Sequence, residues 1–345
     1  MKNSLSKLYL VAVLALFATN NTNAETSKNK NTEKVKVAEV VVSSETVRAG
    51  NMAITESGRM FVSINPLMGA DVRVYEVDSE GKGKAYPNDA YSKGANSSIK
   101  AIIGIRADSK ENLWLLDMGA KQFIVWDTKN EKLVRTIAIP EEVVTPVSFL
   151  QDFVIDEKNG RVIIADMTQG DLKSAPTPAF IVIDTKTGEA RRMAESHASM
   201  MPDFEGGFAL NPIAIDPNFK WVYFGALHGK KVYRVPAKSF DSNEELTAGI
   251  EDYAPKSYSD GIAADKKGNV YVTNIEKQEL GVTNKDGYKT IATLPEGQTW
   301  PDGLEMAKDG YLYSTVDQLN RVPALNNGKD DSVGPFIIVR TKLLK

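Results

Sequence analysis

Five residues with oxygen-bearing side chains share one kind of position. Asn51, Asp152, Asn211, Asp260 and Asp302 each stand at the start of a short apolar segment, with Gln151 beside Asp152. Ile103 occupies the corresponding place in a sixth segment and is the apolar exception. Carboxylate and amide oxygens brought to one place from several segments suit a hard cation such as Ca2+ or Mg2+, and Asn211, Asp260 and Asp302 are the ligand set expected for it. The same pattern also serves structure alone, because Asp ahead of Gly or Pro hydrogen-bonds backbone at strand entrances and water can fill what lies between. Asn65, Asp117, Asp166, His228, Asn274 and Asp317 stand near the ends of the partner segments. Two aromatic residues precede the acids, Tyr258 before Ser259-Asp260 and Trp300 before Pro301-Asp302, and are expected to wall a pocket or pack the core.

Other chemistry is scarce. There is no cysteine, which removes disulfides, thiolate zinc sites, iron–sulfur clusters and a Cys nucleophile. The two histidines, His197 and His228, are too few for a three-His metal site. His228 is a candidate base near the polar positions, and His197 lies in a Met-containing loop that is a candidate lid. No G-x-S-x-G, P-loop, H-E-x-x-H or dinucleotide fingerprint occurs. With 42 Lys and Arg against 45 Asp and Glu, nothing resembles the basic face that nucleic acid requires, so that partner is excluded.

The elements that must position these residues recur. Six units share one pattern, an apolar strand, a turn rich in Asp, Lys, Gly or Asn, and a second apolar or aromatic strand. They cover residues 50–65, 103–117, 151–166, 211–227, 260–274 and 302–315. Each unit reads as a hairpin. Their turns end at Gly58, Glu111, Gly160, Lys220, Gly268 and Gly310, a period of roughly fifty residues that belongs to propeller blades. Third strands follow over 72–77, 122–126, 179–183, 231–235 and 279–283, and weaker fourth strands over 133–139 and 189–193. The expected fold is all-β, a six-bladed β-propeller. No segment keeps a 3.6-residue period, so helices should be few and short. Residues 35–43 and 336–344 are the candidates for closing the ring.

In such a ring the first strand of each blade lines the channel and the second runs antiparallel to it. The start of one and the end of the other therefore share a face. Asn51, Asp152, Asn211, Asp260, Asn274, Trp300 and Asp302 are accordingly the candidate ligand-binding residues at one channel mouth.

Ahead of the repeats, Lys2 and Lys7 precede the apolar run from Leu8 to Ala18, and Thr22-Asn23-Ala24 closes it. This is the form of a secretory signal peptide with cleavage after Ala24, the run being too short to span a bilayer. Residues 25–34 read as a solvated tether and 35–345 as one propeller domain. The mature chain is expected to be secreted or periplasmic, with no membrane span once the signal is removed.

Longer stretches carry a family likeness. Asn112-Leu-Trp-Leu-Leu-Asp117-Met-Gly119, Gln151-Asp-Phe-Val-Ile-Asp156, Trp221-Val-Tyr-Phe224, Ser259-Asp-Gly-Ile262 and, most specific, Trp300-Pro-Asp-Gly-Leu304 with Gly310-Tyr-Leu-Tyr-Ser-Thr315 and Asp317-Gln-Leu-Asn-Arg321 are its main segments. On these the chain resembles the bacterial branch of the major royal jelly protein and Yellow family, over nearly all of residues 37–345. The resemblance implies a secreted six-bladed propeller. Its members range from pigment chemistry on dopa-derived quinones, through amine binding in the channel, to nutrient or signalling roles. By that analogy Asn211, Asn274, Trp300 and Asp302 contact a small aromatic or amine ligand, supported by Asp260. The chain is more distantly similar to the gluconolactonase and senescence-marker propellers, where a Glu, an Asn and an Asp hold a divalent metal. Asn211 and Asp260 resemble the last two, whereas Gly50-Asn51 stands where the Glu would be. That likeness implies a metal-dependent lactonase-type hydrolase as the alternative, and a scaffold for a protein partner is a third.

Overall fold

The computed structural model describes residues 35–344; the signal and tether expected over 1–34 lie outside them. Six antiparallel sheets follow one another along the chain. Their innermost strands are Met52–Ile54, Ile102–Ala107, Leu150–Asp156, Leu210–Ile215, Ile262–Ala264 and Pro301–Met306. Each of these touches the innermost strand of the next sheet, and the last touches the first, so the ring is closed. All six expected hairpins are present. The second strands, such as Val270–Asn274 and Tyr311–Val316, pair antiparallel with the first.

Closure uses both ends of the propeller. The sixth blade takes its third strand from Phe336–Lys342 and its outermost from Glu39–Ser44, with Glu39 opposite Arg340. Arg340 donates to both carboxylate oxygens of Glu39 at 2.9 and 2.8 Å. Lys36–Val37 adds a short parallel strand to the fifth blade.

Every blade has a fourth strand, including Gly83–Ala85, Glu251–Pro255 and Gly287–Thr293, where the sequence pattern is weak. Outer strands have a solvent face, so they lack the apolar run that marks inner ones. The third strand of blade one starts at Val74, because Val72 makes an isolated bridge to Lys93 instead. Helices are short; the longest among the described residues, Asn243–Gly249, is N-capped by Ser242, whose hydroxyl accepts from Glu245 N–H.

The core lies between blades rather than at the centre. Between blades three and four, Val154, Ile163, Phe180, Leu210, Phe224 and Phe240 pack together, with the Phe180 and Phe224 rings edge-on at 5.0 Å. Strands that face a neighbouring blade on each side are apolar on both faces, which is why Arg161–Asp166 is buried throughout. What remains at the centre is a channel with two ends: the entry end, where inner strands begin, and the hairpin end, where they turn into second strands.

Candidate functional site

The entry end is built from irregular backbone. Register shifts interrupt the first pairing of blades two, three, four and six, at Ile102/Ile105, Leu150/Asp152, Leu210/Ile213 and Pro301/Leu304. A bulge frees a residue from the ladder and re-aims its side chain. Gln151, Asn211 and Asp302 sit in these bulges. The residue after each polar position has its own reason: a Cβ on Gly261 would lie 2.0 Å from Asp302 O, and one on Gly303 would lie 2.9 Å from Asn51 Cα. Neighbouring inner strands approach too closely there for any side chain. Thr273 and Thr315 of the second strands pin the entrances, their hydroxyls accepting from Gly261 N–H at 3.1 Å and Gly303 N–H at 2.9 Å.

A cavity of about 30 Å3 lies here, lined by Gln151, Asn211, Asp260 and Trp300 together with the apolar Phe149, Phe208, Leu172, Leu319 and Leu325. Trp300, at φ +61, aims its indole N–H at Asp260 Oδ2, 2.7 Å away, while its own backbone N–H is held by Gln278 Oε1 at 2.7 Å. A tryptophan in left-handed backbone is strained, and the strain is offset by the contacts that fix it. Trp300 is thus a donor to the acid as well as a wall.

Beside Asp260 the acids crowd. Asp302 and Asp317 face one another, both buried. Two carboxylates in contact form a hydrogen bond only by sharing a proton. Burial, reinforced by the charges of Asp260 and Asp317, holds Asp302 well above the usual carboxylate range. Burial and Asp260 push Asp317 up to about 8, against the pull of Arg48. Asp260 is pushed up to about 6 by burial, moderated by hydrogen bonds from Trp300 and Asn211.

Among the described residues, five buried side-chain polar atoms lack a hydrogen-bond partner: Asn211 Oδ1, Asp260 Oδ1, Asp302 Oδ2, Asp317 Oδ2 and Tyr288 OH. Four belong to this one site, three of them on acids. Buried polar atoms are nearly always satisfied, by protein or by ordered water, which makes this concentration of them distinctive.

Not every expected residue joins them. Asn51 and Asp152 lie deeper, gathered by Arg106, which pairs with Asp152, reaches Asn51 Oδ1 at 3.4 Å and donates to Phe153 O at 3.3 Å. Asn274 stays in its turn, its Oδ1 accepting from Glu276 N–H and Lys277 N–H at 3.1 and 3.0 Å. Asp117 and Asp166 likewise hold backbone, at Ala101 N–H and Phe149 N–H. His228 Nδ1 accepts from Phe208 N–H at 2.8 Å; burial and Lys256 push it down to about 4, so it is a neutral imidazole stacked on Phe208. His197 caps the short helix Ala198–Met200. Lys256, buried beside this cluster, donates to three carbonyls, Ala226 O, Gly229 O and Ser257 O. Asp317 belongs to the site although its turn position reads like those of Asp117 and Asn274; the neighbouring Trp300-Pro-Asp is the signal that sets its blade apart.

Among the described residues no three Asp, Glu or His lie close enough to share a metal ion, and no helix is long and apolar enough to cross a membrane. A metal here would therefore rest on Asn211 with Asp260 and Asp302, the amide supplying what a third carboxylate does not.

A closed ring of six sheets defines a class, the six-bladed β-propellers. Within it, the family model for major royal jelly protein matches residues 101–343, and the chain belongs to that family. It is 34% identical over 102 residues to major royal jelly protein 9 of Apis mellifera, a match spanning 24% of this chain and 23% of that protein. Among solved structures, a gluconolactonase from Xanthomonas campestris superposes with a TM-score of 0.56 at 12% identity, covering 90% of this chain and 88% of the other. A calcium-binding regucalcin from Agrobacterium tumefaciens does so at 0.56 and 13%, covering 88% and 95%. A streptogramin B lyase follows at 0.52 and 14%, covering 88% and 97%. Likenesses at such identities concern the fold.

Proposed function

We propose that this chain is an exported propeller that binds a small amine at the entry end of its channel. One observation carries the reading: four buried oxygens at one site, on Asn211, Asp260, Asp302 and Asp317, lack a hydrogen-bond partner, and three of them belong to acids that a cation would draw into their charged form. An ammonium head supplies donors and charge and neutralises the crowded acids. The cavity of about 30 Å3 matches the head alone. The body of the ligand sits against Phe149, Phe208 and Trp300, where Leu172, Leu319 and Leu325 must draw back to admit it. Export rests on the signal-like pattern of residues 1–24.

A second reading has support in the same oxygens. Asn211, Asp260 and Asp302 would hold a divalent cation, which when bound supplies Lewis-acid polarisation of a lactone carbonyl. The regucalcin and gluconolactonase among the structural neighbours favour this reading, and Asn51 in place of a carboxylate weakens it. Melting of the purified chain with tyramine, catechol, gluconolactone, CaCl2 or EDTA separates the two. Tyramine is expected to raise the melting temperature, since a ligand at a hundredfold its Kd adds about 2.7 kcal/mol. A shift with CaCl2, reversed by EDTA, and none with tyramine would overturn the amine reading in favour of the metal.

A further inference from the structure

The channel has a second cavity, at the hairpin end, of about 360 Å3 and open to solvent. Residues of all six blades line it. Its charge is one-sided, with Glu56, Asp108, Glu157, Asp216 and Glu305 against the single cation Arg106.

Most of those charges are already engaged. Asp108 accepts from Lys110 N–H and Asn112 N–H at 2.9 and 2.8 Å, and Asp216 from Lys220 N–H and Trp221 N–H at 2.6 and 2.8 Å. Glu157 accepts from Ser109 N–H and hydroxyl, and Glu56 pairs with Lys308 at 2.8 Å. Arg106 is engaged by Asp152, Asn51, Phe153 O and Ile105 O. Glu305 is different. Among the described residues no side chain donates to it, and it feels only the charges of Arg106 and Asp152 and the N–H of Met306. Desolvation by the strands around it pushes it up to about 7, while the half-buried side chain still lines the open cavity. Around it Ile54, Ile155, Ile215 and Met306 are half-buried and turn apolar surface to the cavity. Cavities of this size, with an apolar wall and a few polar groups, are the usual form of a small-molecule site.

We infer that the hairpin end of the channel is a second binding site, independent of the entry end, for an organic monocation with an aliphatic body, its charged head on Glu305 and its body against Ile54, Ile155, Ile215 and Met306. A metal ion does not suit this end, because among the described residues no three acids converge on one point.

The isosteric set n-hexylammonium, 1-hexanol and hexanoate tests it, titrated into the full chain labelled at isoleucine δ1 methyls. Hexylammonium should shift Ile54, Ile155 and Ile215 saturably, with a midpoint of its own that is separate from any titration of Ile103 at the entry end. Hexanol should bind about tenfold or more weakly, and hexanoate not at all, because a charge-assisted hydrogen bond is lost in the first and reversed in the second. Glu305→Gln should weaken the binding read at Ile54, Ile155 and Ile215 about tenfold or more. Ile215→Trp, which fills the cavity, should abolish the shifts with the melt retained. Equal binding of hexanoate, unchanged affinity in Glu305→Gln, or shifts at Ile103 alone would overturn it.

Discussion

Asp302 and Asp317 hold their protons more strongly than ordinary carboxyls, because burial and the neighbouring acids disfavour their charged forms. Their raised titration has a sign that can be read in stability. An acid whose folded pKa lies above its unfolded value binds more protons folded than unfolded, so its contribution is fullest below about pH 4 and is lost as pH rises through the folded value. For Asp317, at about 8, and Asp260, at about 6, the melting temperature should fall between pH 4 and 8. Asp317→Asn, whose amide can donate to Asp302 without a shared proton, should flatten that slope and gain on the order of a few degrees at pH 8. Parallel pH profiles for the two proteins would show that the pair is not protonated as described. Trp300→Phe acts the other way: it strips Asp260 of the N–H 2.7 Å from Oδ2 and should cost about 1–3 kcal/mol, most at high pH, by urea titration.

At the scale of elements, the glycines and bulges at the strand entrances hold the acids in place. Gly261→Ala drives a methyl into Asp302 O and should destabilise by about 1–3 kcal/mol in urea. Gly50→Ala, with its nearest neighbour at 3.4 Å, should cost less. Equal losses would mean that close strand approach is not the constraint. The hairpins were legible in the sequence, because inner and second strands are apolar on both faces and their turns are chemically marked. The fourth strands of blades one, four and five were not, since a half-exposed edge strand needs no apolar run. The polar ring was legible as a list of types, but its division was not. Asn274 and Asp117 accept from nearby backbone N–H groups, whereas Asp317 keeps an oxygen free. Only the bulge geometry and the reach of Arg106 decide which oxygens stay unpartnered, and neither leaves a local pattern.

At the scale of the molecule, the ring is held shut where Glu39–Ser44 pairs with Phe336–Lys342. A chain beginning at Glu45 exposes the third strand of blade six as an open edge. It should lose its single cooperative melt or self-associate in sizing chromatography, and a monomer with an unchanged melt would show that closure does not need this strand. The closed ring sets six strand entrances around one axis, and with them an excess of buried acid that the chain itself leaves unneutralised. The most direct test of that excess is calorimetric titration of tyramine at pH 7 in two buffers of different ionisation enthalpy. A cation settling on Asp260, Asp302 and Asp317 lowers their pKa values and must release protons, so the apparent heats should differ between buffers in the sense of net release. Binding with no proton release, or no binding by tyramine, would contradict a cation site at the entry end.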